Sequence, residues 1–332
     1  ALQSAETAAF RAQDWFAVLR QQGWHAFQSL PMPTRDNEKW RFSDARTLSL
    51  DGYAPATAPT PAQAADLIAR SRLISDAAGL IVHVDGHCVL KPTLSPELVA
   101  QGVVFESLED AVRTRPALLQ EHLLKHPVLL GGDKFAALHR AWLRAGYVLH
   151  VPKGVEVKQP FVSVTWTLTD GVAVFPHALI VAGEHAVVSV QDYHLGATPD
   201  ARALAISACD IHAGTGAKVS RLAVQGWGSR TQSFQVDNTC GGRDAVISSV
   251  NAAVGSSELR KYSTGTLTFN AANSVADSTL QLFRGTTVFQ GAATAGGSTN
   301  LNVYQNAVLT FDNTGTNTAV SSVANGTPSC SK

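Results

Sequence analysis

Three short segments constrain this chain more than anything else in it: Gly183-x-x-Ala186-Val187, Gly216-Ala217-Lys218-Val219 and Gly242-x-x-Ala245-Val246. They read as one motif, a glycine turn releasing a valine-bearing strand, repeated after 33 and then 26 residues. Repeats of roughly 20 to 50 residues mark stacked units, because a single unit cannot bury its own apolar face. Between the turns the pattern has period two. In 161–169, Val162, Val164, Trp166 and Leu168 alternate with Ser163, Thr165 and Thr167, so apolar groups take one face of a strand and hydroxyls the other. Stacked strands rather than stacked helices predict a mainly β fold, a parallel β-helix.

The chain upstream has a different grain. Residues 5–30 form a helical opening with Phe10, Trp15, Phe16 and Leu19 on one face and Gly23 placed to end it. The stretch PMPTRDNEKW is a loop in which Trp40 packs as an anchor, and the Pro/Ala-rich 53–63 is a linker by composition. A short helix is expected over 64–73, a hairpin over 80–90 around Asp85-Gly86, and a further helix over 116–126. At DKFAALHRAWLRAGYVLHVPKGV, Asp133 can cap a helix striped by Phe135, Leu138 and Trp142. Gly146 then supplies a left-handed end, Tyr147–Val151 is a strand, and Pro152-Lys153-Gly154 turns the chain. This divides the chain into a mixed N-terminal α/β region, 1–132, and a β-helical core, 133–332.

Three segments also carry a resemblance. Asp133, Lys134, Phe135, Ala137, Leu138, Gly146, His150, Val151, Pro152, Lys153 and Gly154 form the first. Pro33, Thr34, Arg35, Glu38, Lys39, Trp40 and Arg41 form the second, and FPHALIVAGEHAVVSVQDY over 175–193 the third. In order and spacing they resemble the SufB/SufD family of iron–sulfur cluster assembly scaffolds, its SufD branch in particular, over about residues 5–260. The resemblance implies a right-handed parallel β-helix. It implies a scaffold without turnover of its own, pairing with a SufB-like subunit and with the ATPase SufC, in the cytoplasm. It also implies that an iron–sulfur cluster is handled transiently at a subunit interface, through a SufB cysteine and a histidine late in the SufD core. That histidine has no counterpart here, because no histidine follows His212.

From residue 263 onward the composition changes. Thr, Asn, Gly, Ala and Ser dominate, and the charged residues are Asp277, Arg284, Asp312 and Lys332. Short strands continue through Leu267/Phe269, Leu280/Leu282 and Leu301/Val303, but no amphipathic helix of the kind that docks SufC is visible. Binding of SufC by 263–332 is therefore expected to be weak or lost. The composition is similar to Thr/Asn-rich β-helical surface proteins, which keeps open a second reading: a surface-adhesive or carbohydrate-binding protein. A glycosidase version would need two carboxylates on one face, and only Asp277 and Asp312 are available there.

The bulk properties exclude more than they assign. Lys and Arg total 26 and Asp and Glu 26, so net charge gives no support to nucleic acid or an anionic membrane as a partner. No apolar run approaches the roughly 20 residues of a membrane helix, and no signal peptide is visible. There is no G-x-x-x-x-G-K-[ST] loop, G-x-S-x-G elbow or H-E-x-x-H, so no catalytic residue is nominated and no ATPase activity is expected. Cys88, Cys209, Cys240 and Cys330 are scattered, which fits a reducing compartment and argues against a cluster held stably by this chain alone. The best local constellation is Asp192-Tyr193-His194 with Asp210-Ile211-His212. Residues i and i+2 share a strand face, and stacking of the two pairs would bring four zinc- or iron-type ligands together. The bland alternative is four polar residues on a solvated face. His83, Asp85 and His87 alternate around a hairpin, while His150 and His177 read as polar positions on a strand and in a turn.

Overall fold

The computed structural model describes residues 15–32, 34, 49–72, 77–125, 133–198 and 200–253, and past them the strands at 258–261, 266–269, 274–276, 279–290, 294–296, 300–312 and 324–325. Side chains are described through residue 247, Asp133 excepted. Phe10, Trp40 with most of its loop, Asp277 and Cys330 lie outside the described residues.

Helix α1 (Trp15–Ser29) runs straight through Gly23. The glycine is there for contact: a Cβ on it would sit 2.7 Å from the Ala141 amide nitrogen, so it lets α1 lie directly on a later helix. Helix α2 (Pro61–Ser71) begins at a capping box, Thr60 with Gln63, and proline at the first helical position. The segment before it, expected to be a free linker, is docked through Ala54, which exchanges backbone hydrogen bonds with Gly171 and Ala173. The hairpin β1 (Gly79–Val84) and β2 (His87–Leu90) turns at Asp85 and Gly86, both at positive φ. Helix α3 (Pro96–Ala100), strand β3 (Val104–Ser107) and helix α4 (Leu108–Thr114) follow, then α5 (Pro116–His122) and α6 (Asp133–Trp142). Gly146 does not end α6, which stops at Trp142; it opens β4 (Gly146–Val151) at φ 124°, where a Cβ would collide with the His177 carbonyl at 1.9 Å.

From β4 onward the chain winds alternately between two sheets. Sheet one takes β4, β6 (Val172–Val174), β7 (His177–Ala182), β9 (Ala203–Ala213) and β11 (Thr231–Gly241). Sheet two takes β5 (Phe161–Thr167), β8 (Val187–Gly196), β10 (Lys218–Gly226) and β12 (Val246–Ala253). All these pairings are parallel, which is the expected β-solenoid. The N-terminal region contributes to both sheets. β1 adds in parallel to β5 with β2 antiparallel outside it, and β3 adds antiparallel to β4. Further on, 279–290 and 300–312 stack in parallel register, so strands continue through the Thr/Asn-rich end.

The turns explain the repeat. Pro152–Val155, Gly183–Ala186, Gly214–Ala217 and Gly242–Ala245 each close with a hydrogen bond from the fourth amide to the first carbonyl, and each has positive φ at its third residue. Gly214, not Gly216, is therefore the equivalent of Gly183 and Gly242. The first glycine is required by stacking: a Cβ at Gly183, Gly214 or Gly242 would lie 2.5–2.8 Å from a backbone nitrogen of the turn beneath. The closing alanines Ala186 and Ala217 are fully buried.

Two layers pack outside the sheets. Helices α1 and α6 cover sheet one, with Phe27, Phe135 and Leu138 against Leu204, Ile206 and Ala208. Helix α2 covers sheet two, where Leu67 meets Val162, Val164 and Trp166, and the indole N–H of Trp166 donates to Ser71 Oγ at 2.9 Å. The apolar face of β5 thus points outward into this layer, and its hydroxyl face, Ser163, Thr165 and Thr167, turns into the solenoid and is buried there.

Candidate functional site

The solenoid lumen has an apolar half and a polar half. Along β8 the inward residues run Val188, Val190, Asp192, His194; along β5 they run Phe161, Ser163, Thr165, Thr167. The apolar half holds Ile180, Ile211 and Val219 as well. In the polar half, strand register lines up His83, Thr165, His194 and Gln225 in one row across sheet two. In sheet one the corresponding row is Tyr147, Ala178, Cys209 and Asp237.

Arg221 sits at the centre of this half. It enters from β10, beside Val190 in register, and is only 3 % exposed. Its Nε donates to Asp192 Oδ2 at 2.5 Å and its Nη1 to Asp237 Oδ2 at 2.9 Å, so one cation joins the two sheets through two carboxylates. Burial opposes its charge, but Asp237, Cys209 and Asp192 around it raise its pKa well above the ordinary value. Burial, with Asp192 alongside, pushes the Tyr147 hydroxyl well up, and burial does the same to the Cys209 thiol. Burial lowers His83 to about 4 and His194 to about 4, so both rings are neutral at pH 7. Among the described residues, both nitrogens of each ring, the Tyr147 hydroxyl and Asp192 Oδ1 have no partner within hydrogen-bonding geometry. A small cavity touches Ser163, Thr165, Asp192, His194, Ser207 and Arg221, a polar lining that suits ordered water.

The second Asp-x-His pair lies on the other side of sheet one. Asp210 and His212 point outward from β9 to the helical layer. His212 Nε2 donates to the His122 carbonyl at 3.1 Å, and the two imidazole rings lie 4.8 Å apart. Asp210 ends a hydrogen-bonded chain. His139 Nδ1 is 2.8 Å from the Ile206 carbonyl, His139 Nε2 is 3.1 Å from His177 Nδ1, and His177 Nε2 is 3.1 Å from Asp210 Oδ2. A carbonyl only accepts, so His139 Nδ1 donates. Burial, with His177 next to it, lowers His139 to about 3, so its Nε2 is a bare acceptor and His177 Nδ1 must donate to it. Burial works against the Asp210 charge, yet His177, Asn238 Nδ2 at 2.8 Å and the Leu124 amide at 3.1 Å hold its pKa down to about 2. Asp210 is therefore an acceptor, and His177 links it to His139. Leu124, which supplies the amide, is held at φ 55°, a conformation that costs a bulky residue energy and that the Asp210 bond offsets.

The four candidate ligands thus occupy two separate compartments. Among the described residues no group of three or more His, Cys, Asp or Glu side chains is placed to hold one metal ion. The hairpin trio also separates. His83 enters the lumen, and Asp85 accepts from the Leu168 amide and from the Thr169 amide and hydroxyl. His87 Nε2 donates to the Ala56 carbonyl at 3.0 Å. His150 stays half-buried on β4, and burial lowers its pKa. Cys88, Cys209 and Cys240 are free thiols on three different strands; Cys240 is exposed and lies beside His212 in register. Reading from sequence missed Arg221, Asp237, Tyr147, His139 and Asn238. Arg221 had a signal: four residues after the turn alanine, it occupies the place that Val190 takes one coil earlier.

Two family models match the chain. One described as the SufBD protein N-terminal region matches residues 3–162, and one described as SUF system FeS cluster assembly, SufBD core domain, matches 165–295. The second match runs past the end, near residue 260, that the sequence motifs marked. The iron-sulfur cluster assembly protein SufD of Bacillus subtilis (strain 168) is 25% identical over 276 residues, 81% of this chain and 58% of that protein. The iron-sulfur cluster assembly protein SufB of the same organism is 24% identical over 174 residues, 52% of this chain and 37% of that protein. An iron-sulfur cluster assembly SufBD family protein of Staphylococcus epidermidis (strain ATCC 12228 / FDA PCI 1200) is 24% identical over 174 residues, covering 52% of this chain and 37% of that protein. The chain spans little more than half of the SufD relative and about a third of the others.

Proposed function

Since this chain belongs to the SufB/SufD family of iron–sulfur cluster assembly proteins, we propose that it is a SufD-like scaffold subunit that performs no catalysis of its own. The observation that carries this reading is the solenoid itself. Its described part is braced on both faces and through its lumen, and among the described residues no group of three or more His, Cys, Asp or Glu side chains is placed to hold one metal ion. Such a body acts by presenting surfaces. Its partners in this reading are a SufB-like subunit, met along the solenoid, and a SufC-like ATPase. The iron–sulfur cluster is cargo, held at the interface with the partner and not stably by this chain. The working compartment is the cytoplasm, where thiols such as Cys88 and Cys240 stay reduced. No nucleic acid or membrane partner is part of the proposal; no described helix is long and apolar enough to cross a membrane.

The deciding experiment is co-purification of the full chain with SufB and SufC homologues, followed by cluster reconstitution. Recovery of a complex with SufB in which a cluster forms, with no cluster and no ATP hydrolysis from this chain alone, is the expected result. A stoichiometric, persistent cluster on the isolated chain would overturn it. Titration with SufC by calorimetry tests the C-terminal part separately: weak or absent binding is expected, and tight one-to-one binding would show that a docking element survives within 263–332.

A further inference from the structure

The small cavity in the polar half of the lumen has a volume of about 10 Å³, room for one water-sized sphere. Its lining is rich in oxygen: Ser163 and Thr165 from β5, Asp192 from β8 and Ser207 from β9, all buried. Asp192, 2 % exposed, is held from one side only. Arg221 Nε meets its Oδ2, and the same guanidinium serves Asp237 through Nη1, so one positive charge is divided between two carboxylates. Asp192 Oδ1 has no hydrogen-bond partner among the described residues. The nearby imidazole of His194 is neutral at pH 7 and supplies no charge. An anionic oxygen buried with neither donor nor counter-ion is costly.

The shape of the site narrows what can answer that oxygen. Oδ1 is closed to a water-sized sphere, so its partner must be smaller than water. A bare potassium ion is about as large as a water molecule, and a bare sodium ion is smaller. One carboxylate with three hydroxyls suits a hard cation, which takes oxygen ligands, and not the softer metals that favour histidine and cysteine. Calcium takes about six to eight oxygens and magnesium keeps several of its waters, and a cavity of this size has room for neither. We propose that the cavity binds a sodium ion, held by Asp192 Oδ1 and the hydroxyl oxygens of Ser163, Thr165 and Ser207. The ion raises to two the cations that face the Asp192 and Asp237 carboxylates among the described residues. The inference rests on the lumen alone and stands apart from the scaffold reading.

The test is reversible urea unfolding of the full chain in sodium, potassium and choline chloride at one ionic strength, so that screening is equal. Unfolding and refolding also let the ion enter as the solenoid closes. A ligand of the folded state raises stability with its concentration. The expected result is a midpoint that climbs with sodium and then levels off as the logarithm of its concentration, with choline inert and potassium needed at about tenfold higher concentration for the same rise. Asp192→Asn keeps the volume and removes the charge, so the difference between sodium and choline should vanish. Ser207→Ala is the milder change, should that variant not fold; it should move the sodium dependence to about tenfold higher concentration. Identical midpoints in the three salts, an equal rise in potassium, or a sodium dependence that either variant keeps unchanged would each overturn the proposal.

Discussion

Asp192-Tyr193-His194 and Asp210-Ile211-His212 are the same pattern on consecutive strands, yet they have opposite fates. On β8 the aspartate and histidine fall on the inward parity with Val188 and Val190; on β9 the inward parity belongs to Cys209 and Ile211. One residue of phase sends the first pair into the lumen and the second to the helical layer. Outside, every polar atom of the His139–His177–Asp210 chain is satisfied. Inside, Arg221 satisfies one oxygen of Asp192, while His194, His83 and the Tyr147 hydroxyl are without partners among the described residues. A satisfied buried network specifies how two layers sit together, whereas an unsatisfied one lowers stability and leaves room for water.

The sharpest way to break this contrast is to remove the lumen's cation. Arg221→Met keeps the bulk but takes the shared partner from the buried Asp192 and the half-buried Asp237. Breaking a buried pair from one side costs about 3–5 kcal/mol, so urea denaturation should show a loss of that order. A loss under about 1 kcal/mol would mean that the lumen is wet enough to solvate both acids.

Acid should act on the lumen next. His83 and His194 are lowered to about 4, below the ordinary value near 6.5. Between those values the unfolded chain takes up protons that the folded chain refuses, so stability is complete above about pH 6.5 and falls as pH drops towards 4. The loss is on the order of 3 kcal/mol for each ring. Urea midpoints measured from pH 7 to 4.5 should show this slope, and His194→Leu should remove about a third of it, because His83 and His139 contribute as well. His139 adds a slope of the same sign from the helical layer. A flat profile would break the argument that the lumen histidines are dry and neutral.

Asp210 responds in a lower window. Its folded pKa of about 2 lies under the ordinary carboxylate value, so its contribution is present above about pH 4 and is lost only as pH falls through 2. Asp210→Asn at pH 7 should cost about 2 kcal/mol, because His177 loses its anion and the Leu124 amide its best acceptor. Urea denaturation of Asp210→Asn at pH 7 and at pH 2 checks both statements: the difference from the native chain should be present at pH 7 and shrink towards pH 2.

Much of the fold was legible because it rests on local chemistry. The turn glycines, the alternation in 161–169 and the Asp85-Gly86 hairpin each state a backbone requirement that a few residues meet alone. What was not legible depends on phase between distant strands. The hydroxyl face of β5 looks like a solvent face until α2 is known to cover its other side with Leu67. Gly23 and Gly146 look like helix ends, but each answers to a segment more than thirty residues away, α6 in one case and His177 in the other. The candidate site suffered most. Asp192 and Asp210 announce themselves as a matched pair, and only the strand register shows that the partner of one is Arg221 and the partner of the other is His177.

The smallest effects sharpen the comparison furthest, because the two compartments should answer one kind of mutation with opposite signs. Asn238→Ala removes the 2.8 Å donor to Asp210 Oδ1 and leaves that oxygen buried without its partner, which should cost about 1 kcal/mol. Tyr147→Phe removes a buried hydroxyl that has no partner among the described residues. Its ring still packs edge-on to Phe105 at 5.4 Å, so the apolar contact survives the change. Since an unmatched polar group carries its desolvation penalty without a compensating bond, deleting it should leave stability unchanged or raise it by up to about 1 kcal/mol. Paired urea titrations at pH 7 decide the point. If Tyr147→Phe destabilises as much as Asn238→Ala, the hydroxyl is bonded to lumen water, and the polar half of the solenoid is a hydrated network as complete as the one outside it.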